Sequence, residues 1–117
     1  MRVMVIMKAS PNSEAGVMPT RDDFERMIRY NTELVKAGIM KSGDGLKPSK
    51  FGKRVTFRPN GKVSVTDGPF AETKEQLAGF YLVDAKDLNE AIQIASKIPP
   101  ARVGSIEVRP VRELAVQ

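Results

Sequence analysis

The chain has 117 residues, 41% of them hydrophobic and 28% charged, which is typical of one globular domain with its own core. It contains neither cysteine nor histidine, which excludes disulfides, thiolate nucleophiles, Ser-His-Asp catalysis and the usual zinc ligand sets. The net charge is +5, with Lys and Arg concentrated in residues 47–62, where there is no Asp or Glu. Its apolar runs are too short for a signal peptide or a membrane span, so we predict a cytoplasmic protein with no membrane partner.

The first half of the chain predicts a strand, a helix and a second strand. Residues 2–8 form an unbroken apolar run with charged ends, which indicates a central strand buried on both faces. Residues 9–19 are rich in Ser, Asn, Gly and Pro and predict a loop long enough to fold over a site. Thr20, with an acidic residue three positions later, predicts a capping box, and apolar residues then recur at helical spacing until Gly38. A strand is expected over 39–46.

A β-hairpin is predicted in the middle of the chain. Its arms, residues 51–58 and 62–66, flank Pro59-Asn60-Gly61, and Asn-Gly is a strong hairpin signal. Apolar and polar residues alternate along the second arm, so one face should meet water and the other should be covered. On this prediction Phe57 belongs to the core.

The second half predicts a strand, a helix and a closing strand. Residues 79–83 form another apolar run with large side chains on both faces. Asp87 is a helix cap, and apolar residues then line one stripe until Pro99-Pro100 ends the helix. Residues 105–111 alternate as a strand that ends near Pro110.

This order of elements predicts an α+β fold of the ferredoxin-like βαββαβ type with an inserted β-hairpin. Two helices can cover only one face of the sheet. The strands over 2–8 and 79–83 carry apolar side chains on both faces, so the second face needs a partner. The economical partner is a second copy of the chain packed sheet to sheet, and we therefore predict a homodimer.

The turn Asp67-Gly68-Pro69-Phe70 is the best candidate for a functional site. Gly68 is free to take positive φ values, and Pro69 fixes φ and ends strand pairing, so the chain must turn there. An aromatic ring directly after a rigid turn is expected to enter the core as a plug, which would hold Asp67 in one orientation. Asp67 is thus the candidate catalytic residue, as general base or ligand acceptor. The alternative, a carboxylate that only caps nearby backbone amides, stays open.

Four further residues are candidates for ligand binding at the place where this turn meets the Gly43-Asp44-Gly45 loop and the strand over 79–83. They are a second carboxylate, two possible anion-binding cations and a phenol donor, namely Asp44, Arg54, Lys74 and Tyr81. Each also has a purely structural interpretation as a turn, solvated or core residue. No helix offers two carboxylates at metal-facing spacing, so we predict no metal, and no motif indicates a cofactor.

Two other functions are consistent with the sequence. The basic window 47–62 favours an accessory module that binds nucleic acid or a transcription component, although only Phe51 and Phe57 could stack on bases there. A stable dimer with a structural or interaction role is the third interpretation. The residues leave open which of these applies and whether any reaction is catalysed.

The run Asp67 to Leu77, followed by Gly79-Phe80-Tyr81, resembles the signature of the DGPF-domain branch of the YCII-related superfamily. Three further stretches resemble that family in order and spacing: Gly43 to Leu46, Asp87 to Ile98 and Glu107 to Val111. The resemblance covers nearly the whole chain and implies a single domain over 1–112 with a tail over 113–117. It also implies a dimeric α+β barrel of ferredoxin-like subunits.

The same resemblance implies much less about activity. The best-known proposal for the superfamily is an enzymatic pocket built around a His and Asp pair, and some relatives are described as transcription-associated. This chain has no histidine, so that pair cannot be transferred to it. Asp67 remains the candidate, with an unidentified small molecule as the expected ligand.

Overall fold

The computed structural model describes residues 1–71, 75–99 and 105–113, which form an α+β fold with antiparallel sheets. In chain order the elements are β1 (Arg2–Lys8), α1 (Pro11–Glu14), α2 (Arg21–Lys36), β2 (Met40–Gly45), a 3₁₀ turn (Ser49–Phe51), β3 (Lys53–Phe57), β4 (Val63–Asp67), β5 (Leu77–Asp84), α3 (Leu88–Ser96) and β6 (Ile106–Pro110).

The main sheet has four strands in the order β2-β5-β1-β6, and every neighbouring pair is antiparallel. This order is compatible with a ferredoxin-like fold. β1 lies in the middle, as its unbroken apolar run predicts. Within the described ranges, β3 and β4 pair only with each other, in a second, two-stranded sheet. Among the described residues, no helix is long and apolar enough to cross a bilayer.

The predicted N-cap residues of α2 and α3 are confirmed, but the second hydrogen bond of the capping box predicted at Thr20, from its N–H to the Asp23 side chain, is not found among the described residues. Thr20 Oγ1 accepts the Asp23 N–H at 3.1 Å, and Asp87 Oδ1 accepts the Glu90 N–H at 2.9 Å. α2 ends at Lys36, and its C-cap Ala37 is followed by Gly38 at φ 73°, a left-handed conformation that favours glycine. α1 lies inside the predicted loop 9–19. The sequence signal for it is Ser10-Pro11, an N-cap residue followed by a proline at the first helical position.

The core lies between the helices and one face of the sheet. The largest fully buried side chains are Val3, Val5 and Val83, and Tyr81 lies beside them. The helices and the segments after β5 and α3 contribute Leu34, Ala85, Ala91, Ile94, Ala95 and Ile98. The Tyr30 hydroxyl links the helices by donating to the Ile94 carbonyl at 2.7 Å. α2 and α3 therefore cover one face of the sheet, as the sequence predicts for two helices.

The opposite face of the sheet is apolar but not buried. Register pairs Met4 with Leu82 and Ile6 with Phe80, and all four side chains are only half-buried. Charged residues of β6 flank them, because the same register pairs Met4 with Arg109. This face carries no part of the buried core among the described residues.

The hairpin of β3 and β4 corrects one prediction. Phe57, which we placed in the core, is 79% exposed. Val55, Val63 and Val65 share its face of the hairpin and are exposed as well. The alternation of the hairpin is real, but β3 and β4 make few contacts with other elements in the described chain. Both faces of the hairpin therefore meet solvent in a single subunit.

Candidate functional site

A cavity of 760 Å³ lies between α2, α3 and the sheet face that they cover. Its walls are mainly apolar. The residues that line it include Met7, Met27, Met40, Asn31, Tyr81 and Ile92. A cavity of this size is within the range that holds small organic ligands in proteins, roughly 300–1,000 Å³.

Small residues where β2 and β5 pair leave room for this cavity. Gly43, Gly45 and Ala78 line it, and Gly45 pairs with Gly79 across the two strands. A Cβ on Gly43 would lie 3.0 Å from the Phe80 carbonyl oxygen, so the close approach of the two strands favours glycine there. The glycine-rich end of β2, which lies within the strand predicted over 39–46, thus forms one wall.

A tyrosine and an asparagine form a polar pair within these apolar walls. Tyr81 lies on β5 and is only 5% exposed, and its hydroxyl donates a hydrogen bond to Asn31 Oδ1 on α2. Burial raises the pKa of Tyr81 above its ordinary value, because the phenolate would lose its hydration. Burial likewise raises the pKa of Tyr30, which lies next to Asn31 in the chain. Both phenols therefore stay neutral hydrogen-bonding groups at physiological pH.

The raised pKa values predict a loss of stability at alkaline pH. Tyr30 and Tyr81 are the only two tyrosines, and each has a folded-state pKa above its unfolded value of about 10. Their contribution to the free energy of unfolding is complete below that value and is lost as the pH rises through the folded-state values. We expect tyrosinate absorbance to appear above pH ~10 and together with unfolding. In Tyr30→Phe the remaining step reports Tyr81, and a titration at the ordinary pKa with the fold intact would contradict the burial described here.

Two charged residues, Lys8 and Asp44, are among those that line the cavity. The Lys8 side chain is only 18% exposed, and its Nζ lies 3.3 Å from Glu107 Oε2. That carboxylate therefore balances the charge of Lys8. Asp44 is exposed, and no ion pair of its carboxylate is found in the described parts of the chain. Among the described residues that line the cavity, the charges of Lys8 and Asp44 cancel, so these residues offer a ligand no net positive charge.

The structure brings together two of the predicted site residues. Asp44 and Tyr81 both line the cavity, whereas Asp67 and Arg54 do not. The fifth predicted residue, Lys74, lies outside the described residues. The Asp67 side chain is 76% exposed and forms an ion pair with Lys53 Nζ at 2.5 Å, across the first pair of the hairpin ladder. Asp67 therefore lies at the base of the hairpin, apart from the cavity, and its catalytic role stays a prediction.

The turn after Asp67 has a dense set of structural contacts. The Gly68–Pro69 peptide bond is cis, and the Gly68 N–H donates to the Gly52 carbonyl at 3.0 Å. The Phe70 N–H donates to Ser49 Oγ at 3.2 Å. Phe70 is half-buried. The guanidinium of Arg54 lies over its ring, 4.2 Å from the ring centre, and forms a cation–π interaction with it.

Glu14 of α1 extends this set of contacts. Its carboxylate accepts hydrogen bonds from the Ser49 N–H, at 3.0 Å, and from the Ser49 hydroxyl. The turn is thereby linked through Ser49 to the segment after β1. These contacts hold the base of the hairpin in place.

Sequence reasoning missed Asn31. Its signal was present, because Asn31 falls within the apolar stripe of α2, between Met27 and Leu34 at helical spacing. A polar residue at such a position needs a hydrogen-bond partner, and Tyr81 supplies it. Among the described residues, no three acidic side chains lie close enough together to hold a metal ion.

Comparison with known proteins finds a family model and a relative, each of which matches most of the chain. A family model described as the YCII-related domain matches residues 1–115. The chain is also similar to an uncharacterised protein of Rhizobium meliloti (strain 1021), with 55% identity over 99 residues. That alignment covers 79% of this chain and 78% of the relative.

Proposed function

Because this chain belongs to the family of YCII-related domains, we propose that it is a small-molecule-binding domain and that the ligand occupies the cavity between α2, α3 and the sheet. The single observation that carries this proposal is a cavity of 760 Å³ with apolar walls and an internal Tyr81–Asn31 pair. Ligand sites are typically concave and apolar with a few fixed polar groups. The predicted ligand-binding roles of Asp44 and Tyr81 belong to this proposal, with Tyr81 contributing its ring and orienting Asn31, because its one hydroxyl proton is donated to Asn31 Oδ1.

We further propose that the chain belongs to the DGPF branch and acts as a homodimer. In this arrangement two ferredoxin-like subunits, each with the β3–β4 hairpin as an insertion, form an α+β barrel. Its support is the apolar surface that one subunit leaves uncovered. The half-buried sheet face around Ile6 and Phe80 and the exposed hairpin face around Phe57 are two such surfaces. A second copy that covers both would remove them from water.

The alternative, nucleic-acid binding through the basic window, has weaker support. Stacking on bases requires free aromatic rings. Lys47 and Lys50 lie 5.6 Å and 5.2 Å from the centre of the Phe51 ring, and Arg54 covers Phe70. The exposed ring of Phe57 belongs to the surface that we assign to the dimer. Retention on single-stranded DNA that falls steeply with salt would favour this alternative.

Filling the cavity tests the ligand site. We expect the neutral fluorescent probe N-phenyl-1-naphthylamine to bind the wild-type chain and to bind Met27→Trp about tenfold or more weakly, because the indole would occupy the cavity from α2. Fluorescence titration measures the affinity, and circular dichroism checks that the variant is folded.

The matched control is Val55→Ser, which removes apolar surface from the exposed hairpin and leaves the cavity unchanged. Probe affinity should stay at the wild-type value in this variant. Equal probe affinity in wild type and Met27→Trp, or a loss only in Val55→Ser, would overturn the assignment of the ligand to this cavity.

A further inference from the structure

We infer that the ligand is a neutral molecule with a flexible apolar chain and a carbonyl oxygen at one end, which accepts a hydrogen bond from the side-chain amide of Asn31. The ligand class rests on the proposed function, because it assumes that the cavity is the binding site. Three independent properties of the cavity lead to it: the adaptability of its walls, the free donor at its polar pair and its charge balance.

The walls favour an apolar chain without a fixed shape. Met7, Met27 and Met40 approach the cavity from β1, α2 and β2. Methionine has three rotatable bonds and a polarisable sulfur, so methionine-lined surfaces adapt to ligands of different shapes. Ile92 and Val108 add aliphatic surface, and Tyr81 contributes the one aromatic ring among the residues that line the cavity. Such walls can follow a flexible alkyl or alkenyl chain in more than one conformation.

The polar pair presents a hydrogen-bond donor. The Tyr81 hydroxyl donates to Asn31 Oδ1, which directs the other end of the amide, Nδ2, away from the phenol. Nδ2 carries two N–H donors, and no hydrogen bond from it is found in the described parts of the chain. No inaccessible side-chain nitrogen or oxygen lacks a partner there, so Nδ2 is accessible from the cavity or the solvent. An oxygen acceptor on the ligand would satisfy this donor.

The charge balance selects a neutral acceptor. A carboxylate needs a cation, but Lys8, the one cation among the described residues that line the cavity, is already paired with Glu107, and the carboxylate of Asp44 would repel a second one. An ammonium head group would be attracted by Asp44 but offers no acceptor to Asn31. A ketone, ester or amide carbonyl accepts from Asn31 without bringing a charge into an apolar cavity.

The test is displacement of N-phenyl-1-naphthylamine by three molecules of matched length, 2-octanone, octylammonium and octanoate. We expect 2-octanone to displace the probe from the wild-type protein at roughly tenfold lower concentration than either charged molecule. In Asn31→Leu, which has nearly the same shape but no donor, this preference should fall about tenfold, in line with the loss of one hydrogen bond. Affinity for the probe itself should stay unchanged.

Two further variants keep the result interpretable. Tyr81→Phe keeps the ring but removes the hydroxyl that orients the amide, so it should weaken the binding of 2-octanone and not that of the charged molecules. This variant replaces Asn31→Leu if Asn31→Leu does not fold. Asn89→Leu makes the same replacement at an exposed position of α3 and should have no effect. If the probe does not bind the wild-type protein, the proposed function itself fails. The carbonyl inference fails if the probe binds but the three molecules displace it equally, or if the preference for 2-octanone is unchanged in Asn31→Leu. In that case the assignment of the ligand to the cavity is unaffected.

Discussion

Replacing Gly68 with alanine is expected to lower the free energy of unfolding by about 3 kcal/mol, the upper end of what overpacking normally costs. An alanine Cβ at this position would lie 1.8 Å from the carbonyl oxygen of Ser49. That oxygen belongs to backbone and accepts the Gly52 N–H at 2.8 Å, so it cannot move aside as a flexible side chain would. The substitution would separate the turn after Asp67 from the segment that Glu14 holds.

Thermal and urea unfolding measure this effect, and a midpoint lower by roughly 10 °C is expected for a domain of this size. The matched control is Gly45→Ala. A Cβ at Gly45 would meet no atom of the described residues within 4 Å, so the free energy of unfolding should change little. Equal stability of the two variants would show that the turn and the Ser49 segment do not pack as described.

Replacing Phe57 with glutamate is expected to weaken self-association at least about a hundredfold, as loss of a buried aromatic anchor together with burial of a charge does at protein interfaces. In the proposed dimer this ring is covered by the second copy. In a single subunit it is 79% exposed, so the substitution should leave the fold of the subunit intact. Sedimentation equilibrium measures the dimer dissociation constant, and circular dichroism reports the fold.

The control for this effect is Thr66→Glu, which adds the same charge on the opposite face of the hairpin, beside Arg54. It should leave the dissociation constant near the wild-type value. A wild-type chain that sediments as a monomer would overturn the proposed dimer, and a dimer that tolerates Phe57→Glu would remove the hairpin from the interface.

Local signals in the sequence predicted most of the elements correctly. Thr20 and Asp87 mark the starts of α2 and α3, and Gly38 follows the end of α2, because caps and left-handed glycines depend on a few neighbouring residues. The uninterrupted apolar run of β1 indicated its central position, because a strand buried on both faces has apolar residues at consecutive positions.

Predictions that depend on tertiary packing were less successful. Alternation in the hairpin indicates an apolar face but not what covers it, and Phe57 was wrongly placed in the core. Turn chemistry drew attention to Asp67, but which residues meet at a cavity depends on how α2 and the sheet pack. Asn31 lies 50 residues from Tyr81 in the chain, so its pairing could not be derived from spacing.

The most direct test of the central claim is to locate a bound ligand on the chain. We propose NMR titration of isotope-labelled protein with 2-octanone, following backbone amides and the side-chain amide of Asn31. If the ligand occupies the cavity, the largest shifts will cluster at Asn31, Tyr81 and Ile92, on the two helices and the sheet between them. Shifts confined to residues 67–70, or to the exposed hairpin, would contradict the assignment.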